Sequence, residues 1–175
     1  MSNPEPWLRG PLAGVNPLVA NLFFTFTQAR EELSEALTGL TVDEIWSRPF
    51  GLASVGFHVR HMGGAAERLG CYVRGGQLTE AQLAELRIES EPGAAAEVLL
   101  TQLRERQERL EQEVRAMDPS SFTEPREVGR ARLPSTAISL IVHIAEHTQR
   151  HLGQAITTAK LVKSLRGESR QDPST

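Results

Sequence analysis

The stretch HIAEHTQRHLGQ, residues 143–154, sets His143, His147 and His151 four residues apart. On an α-helix that spacing aligns side chains on one face, a single turn apart. The flanks agree with a helix: Ile138, Ile141, Ile144 or Ala145, Leu152, Ile156 and Leu161 recur around the histidine row and predict a long helix over about residues 135–165. Of five histidines in the chain, the other two, His58 and His61, sit together in GFHVRHMGG, residues 56–64. Every histidine therefore falls in one of two short clusters.

Outward from these clusters the pattern stays helical. Leu18, Leu22, Phe26, Leu33 and Leu37 predict a first helix over about residues 16–38, with Gly39 just past its end. Thr41 and Glu44 stand at capping-box spacing before Pro49, which indicates a short helical turn. The segment SVGFHVRHMGGAAERLGCYVRG, residues 54–75, reads as a second long helix. Its Gly63-Gly64 pair costs about 1 kcal/mol per glycine relative to alanine unless close packing uses the missing side chains. TEAQLAEL predicts a short helix, and residues 93–117 predict a long one with Val98, Leu99, Leu103, Leu110, Val114 and Met117 in one apolar stripe and Glu/Arg on a solvated face. Residues 118–134 are turn-rich and offer at most short extended pieces. Four long amphipathic segments without convincing alternating strands point to an all-α four-helix bundle with a long connection between helices. A single domain is expected over residues 1–165, with residues 166–175 as a polar, mobile tail.

Composition narrows the function classes. At 175 residues the chain suits one core, burying about two-thirds of the surface that its unfolded form exposes. The net charge of −3, with basic and acidic residues interspersed, provides no basic stripe to track phosphates, so no nucleic-acid partner is expected. Cys71 is the only cysteine, which rules out an intramolecular disulfide and a thiolate-rich zinc site and suits a reducing cytoplasm. The N-terminal MSNPEPWLRGPLAG lacks the basic and apolar regions of a signal peptide, and no run of 18 uncharged apolar residues occurs, so no membrane role is expected.

The histidine spacing suggests a metal centre. His143 and His151 are separated by about 12 Å of helix rise, so one ion can use His143 with His147 or His147 with His151, not all three. His58 and His61, at i and i+3 on another helix, can supply a third ligand across the core. Three neutral nitrogens with an open position form the donor set of a catalytic ion rather than a closed structural one. The first pair formally completes H-x-x-E-H, the inverted zinc-peptidase motif with Glu146 as its acid, but only 28 residues follow His147 and they end in a polar tail.

The combination of SVGFHVRHMGG with HIAEHTQRHLGQ resembles the DinB-like superfamily of bacterial metal-binding four-helix bundles, including the YfiT-type metalloenzymes, over about residues 15–162. The resemblance implies His61, His147 and His151 as ligands of one divalent ion, usually zinc or nickel, with iron or manganese as further options. His61 is preferred to His58 because the family spacing runs from Ser54 and Val55 to His61. His58, His143 and Gln154 are then candidates for positions around the ligands. The resemblance also implies a homodimer, and chemistry with a low-molecular-weight thiol on a small-molecule substrate, either transfer or isomerisation. A non-enzymatic metal-binding or stress-response bundle is the alternative, and a metal-dependent hydrolase is the less favoured one.

Other residues carry blander expectations. Glu67 is expected in a surface salt bridge, and Arg60, Arg68 and Arg150 as solvated charges. Cys71, about 15 Å along the helix from His61, is too far to ligate and is expected to be small and buried. Trp7 and Trp46 are expected to pack structurally, and Gly153 to permit close helix approach.

Overall fold

A computed structural model describes residues 3–169. The chain forms helix α1 (Ala20–Leu37), a short α2 (Val42–Trp46), α3 (Val55–Val73), α4 (Glu80–Arg87) and α5 (Ala96–Ala116). Strands β1 (Pro125–Val128) and β2 (Leu133–Thr136) then lead into α6 (Ala137–Ser169). The long helices pack in a ring, α3 against both α5 and α6, and α1 against the same two. The chain is mostly helical, as expected, and the short two-stranded sheet falls where the turn-rich connection allowed short extended pieces. Its strands pair antiparallel, Pro125 opposite Thr136 and Val128 opposite Leu133, around a turn where Gly129 and Arg132 both take positive φ.

Local chemistry sets the helix ends. Thr41 and Thr79 each form a capping box, with Glu44 and Gln82 respectively, and the Ser54 hydroxyl accepts from the Phe57 amide at the start of α3. At the start of α6 the Thr136 hydroxyl accepts from the Ser139 amide. α1 begins four residues later than its pattern suggested, because residues after Pro17 turn before entering the helix. Leu18 consequently lies off the apolar face and is 70% exposed. Val98 is also exposed: Leu99, Leu103, Leu110 and Val114 make the inner stripe of α5, and Val98 points about 100° away from Leu99 around the axis. α6 runs on through Ser169, so Arg166 to Ser169 are helical where a tail was expected, and residues 170–175 lie outside the described residues.

Two apolar clusters flank the middle of the α3–α6 contact. One contains Phe23, Phe26, Ala66, Tyr72, Leu140, Ile141 and Ile144, and the other contains Leu33, Val55, Val59, Met62, Leu99, Leu152 and Ala155. The start of α3 therefore shares a cluster with the later part of α6, as antiparallel helices require. Glycines let α3 approach its neighbours. A Cβ on Gly63 would lie 3.2 Å from the Arg106 side chain and 3.5 Å from the Leu103 backbone, and one on Gly56 would lie 2.7–2.9 Å from the Trp46 ring. Trp46 is buried there, donating its indole N–H to the Ala94 carbonyl, whereas Trp7 is largely exposed and contradicts its packing expectation.

Gly56→Ala should destabilise the protein by about 1–3 kcal/mol, the usual range for overpacking a tight core. Thermal or urea unfolding checks this, and an unchanged midpoint would contradict the tight Gly56–Trp46 contact.

Candidate metal centre

The middle of the α3–α6 contact is polar. His58 and His61 from α3 meet His151 and His147 from α6, with His58 Nδ1 3.0 Å from His151 Nδ1 and His61 Nε2 3.2 Å from His147 Nε2. His61, His147 and His151 each bring a ring nitrogen into one group whose members lie within 4.8 Å of one another. All three are half-buried, and Phe57 stacks on His61 with ring centroids 5.2 Å apart. Helix periodicity makes this possible: residues 147 and 151 share a face of α6, and the antiparallel α3 presents residues 58 and 61 to it.

His143 does not join them. It is exposed, with Nδ1 3.4 Å from a Glu146 oxygen, and it only stacks on His147 at 5.8 Å between ring centroids. Glu146 pairs with Arg150 as well. His143 and Glu146 of the H-x-x-E-H motif thus point to solvent, while His147 and His151 point inward. Gln154 is exposed, and Gly153 faces open space rather than a neighbouring helix. Cys71 is half-buried, its thiol donating to the Gln77 carbonyl, and takes no part in the cluster.

Proton positions follow from the partners. Glu89 accepts from His61 Nδ1–H at 2.6 Å, which turns His61 Nε2 toward His147. For His151 to offer Nε2 to an ion, its Nδ1 must carry the proton and donate to His58 Nδ1. His58, 5% exposed, then holds the orientation of His151 rather than competing as a ligand. His147 Nδ1 is buried without a hydrogen-bond partner, so the polar contact of its ring is the one that Nε2 makes with His61. The donor set fits a divalent transition ion. Two nitrogens bound tetrahedrally at ~2.0–2.1 Å lie ~3.3 Å apart, close to the 3.2 Å between His61 and His147.

Sequence reading missed Glu89. It lies between α4 and α5 in a segment with neither histidine spacing nor apolar periodicity, and only the fold carries it to His61. Arg68 and Arg60 also differ from expectation. Arg68 is buried and donates to the other Glu89 oxygen at 2.6 Å, and Arg60 is half-buried, donating to the Ile88 and Glu91 carbonyls. Arg150 remains exposed, and Glu67 pairs with Arg106 and Arg109 at the surface as expected.

Fold and site together define a mostly helical protein with a histidine triad that could hold a divalent metal. Comparison with protein families matches residues 25–155 to the DinB superfamily, and the chain belongs to it. Comparison with curated proteins finds no match. Among the described residues no helix is long and apolar enough to cross a membrane.

Burial pushes His58, His147 and His151 each down from the ordinary 6.5 to about 4, and the crowding of the rings, where a proton on one disfavours a proton on the next, adds to the shift, as does Arg150 for the α6 pair. These rings are neutral in the fold at neutral pH, whereas the unfolded chain takes up their protons below about 6.5. Their contribution to stability is therefore present above pH 6.5 and is lost as pH falls toward 4. Metal-free protein should show a falling urea midpoint between pH 7 and 5.5, above the carboxylate range, and a flat midpoint there would contradict the neutral cluster.

Proposed function

We propose that His61, His147 and His151 hold one zinc or nickel ion in a four-helix bundle of the DinB/YfiT type. We further propose that the protein serves thiol-dependent transfer or isomerisation on a small-molecule substrate. The observation carrying this reading is the meeting of three ligand nitrogens within 4.8 Å at the α3–α6 contact. Such an ion, when bound, would supply the Lewis acidity that makes a low-molecular-weight thiol nucleophilic near neutral pH.

The chain supplies orientation and surroundings. Glu89 and His58 fix two ligand rings through their far nitrogens, and Phe57 covers His61. Beside the cluster lies a cavity of about 480 Å³ lined by Leu52, Ala53, His58, Arg150, Gln154 and Thr157, among others. Arg150 and Gln154 offer it hydrogen-bond donors, and Leu52 and Ala53 offer apolar surface. Hydrolysis has less support, because Glu146, the acid nearest the ligands in sequence, is exposed and paired with Arg150. A homodimer in a reducing cytoplasm completes the proposal.

Untagged protein should carry about one divalent ion per chain by elemental analysis. His147→Ala and His151→Ala should abolish stoichiometric binding, while His143→Ala should retain it. Retention of metal by His151→Ala would overturn the ligand set. Turnover of a generic electrophile should require both the ion and a small thiol; turnover that depends on neither, alongside intact metal binding, favours the non-enzymatic reading.

A further inference from the structure

We infer that Glu89, seated on Gly64 and held by Arg68, is a positioning residue that fixes the His61 ring with Nε2 toward the metal centre. Through it, the α4–α5 connection is coupled to occupancy of the metal centre. The inference builds on the three-histidine reading above.

Glu89 is 3% exposed, while its neighbours Ile88, Ser90, Glu91, Pro92 and Gly93 are all exposed. A lone buried carboxylate in an otherwise solvated segment is unfavourable unless it is charge-paired and hydrogen-bonded. Here both oxygens are used: Oε1 accepts from Arg68 Nη1 and Oε2 from His61 Nδ1, each at 2.6 Å. The seat exists because residue 64 has no side chain. A Cβ on Gly64 would lie 2.3 Å from Glu89 Oε1 and 2.7 Å from Arg68 Nη1. This explains one half of a glycine pair that helix propensity disfavours at mid-helix.

The segment around Glu89 is strapped down at both ends. Arg60 Nη1 donates to the Ile88 carbonyl at 3.1 Å and to the Glu91 carbonyl at 2.6 Å, while its guanidinium lies 4.3 Å from the Trp46 ring centroid. The Trp46 indole donates to the Ala94 carbonyl at 2.9 Å. Arg60, Gly64 and Arg68 are spaced by four on α3, so one helix face anchors the strap, receives the carboxylate and neutralises it. His61, next to Arg60, turns its far nitrogen to the histidines of α6.

A carboxylate accepts but does not donate, so Glu89 keeps the His61 proton on Nδ1 and the Nε2 lone pair toward the ion. Its charge also strengthens the ring as a donor, and loss of such an outer partner typically weakens metal affinity 10–100-fold. Linkage is reciprocal: if Glu89 favours metal binding, bound metal favours the docked strap by the same factor.

The test uses the full chain, stripped of metal and titrated with zinc against a competing chelator. Glu89→Gln and Gly64→Ala should each bind zinc about 10–100-fold more weakly than wild type. If unpaired Arg68 unfolds the single variants, Arg68→Met combined with Glu89→Leu removes the buried pair together and should show the same loss. Nitrogen NMR of metal-free wild type should show His61 protonated at Nδ1, and the double variant should show mixed tautomers. Zinc should increase hydrogen-exchange protection of amides 88–94 in wild type only. Unchanged zinc affinity in the variants, or equal protection of the strap with and without zinc, overturns the inference and leaves Glu89 structural. A wild type that takes up no zinc overturns the three-histidine reading and the coupling together, whereas a mixed tautomer in metal-free wild type overturns the role of Glu89 alone.

Discussion

The seam between α3 and α6 places four imidazole rings between two apolar clusters, and the surrounding structure answers that demand. Buried polar groups are tolerated when partnered, and buried positive charge is tolerated far less. His58 and His151 partner each other, His61 is partnered by Glu89, and burial holds His58, His147 and His151 in the neutral form. Neutral rings with free nitrogen lone pairs are also what a transition ion requires. The condition that lets the core close is thus the condition that prepares the site.

Close approach serves the same end. Small residues along α3 remove bulk where neighbours come nearest: Gly56 beneath Trp46, Gly63 beneath α5 and Gly64 beneath Glu89. The first two bring helices together, while the third admits a carboxylate into the seam. Trp46 links these features, since it packs on Gly56, lies under Arg60 and holds the Ala94 carbonyl. The packing of a short helix and the docking of the segment bearing Glu89 thereby share the same side chains.

Residues of one chemical type diverge by position. Arg68 is buried against Glu89, Arg60 ties down backbone carbonyls, and Arg150 stays at the surface with Glu146. Glu67 and Glu89 differ likewise, one bridging surface arginines and the other enclosed beside a histidine. Surface pairs of the first kind contribute little to stability, whereas breaking a buried pair leaves an uncompensated charge and is costly.

Spacing along the chain was enough to place the long helices, the Thr41–Glu44 capping box and the two histidine faces, because a 3.6-residue period and local hydrogen bonds act within a few residues. The DinB resemblance rested on the same short-range features, His61 with the pair at 147 and 151. What spacing could not settle was which overlapping pair turns inward: His143 and His147 are as well aligned as His147 and His151, and only the rotation of α6 against α3 separates them. Leu18 and Val98 misled because an apolar residue near a helix start or beside its stripe looks like core until the axis is set. The pairing of β1 with β2 and the contact of Glu89 with His61 were hidden for a different reason. Both join residues outside any helical period, in the hairpin across a turn and at Glu89 across 28 residues. Periodicity along the chain thus determined the helices and their polar faces, whereas the partners of those faces were decided by tertiary packing, since burial and charge pairing depend on what the fold brings alongside.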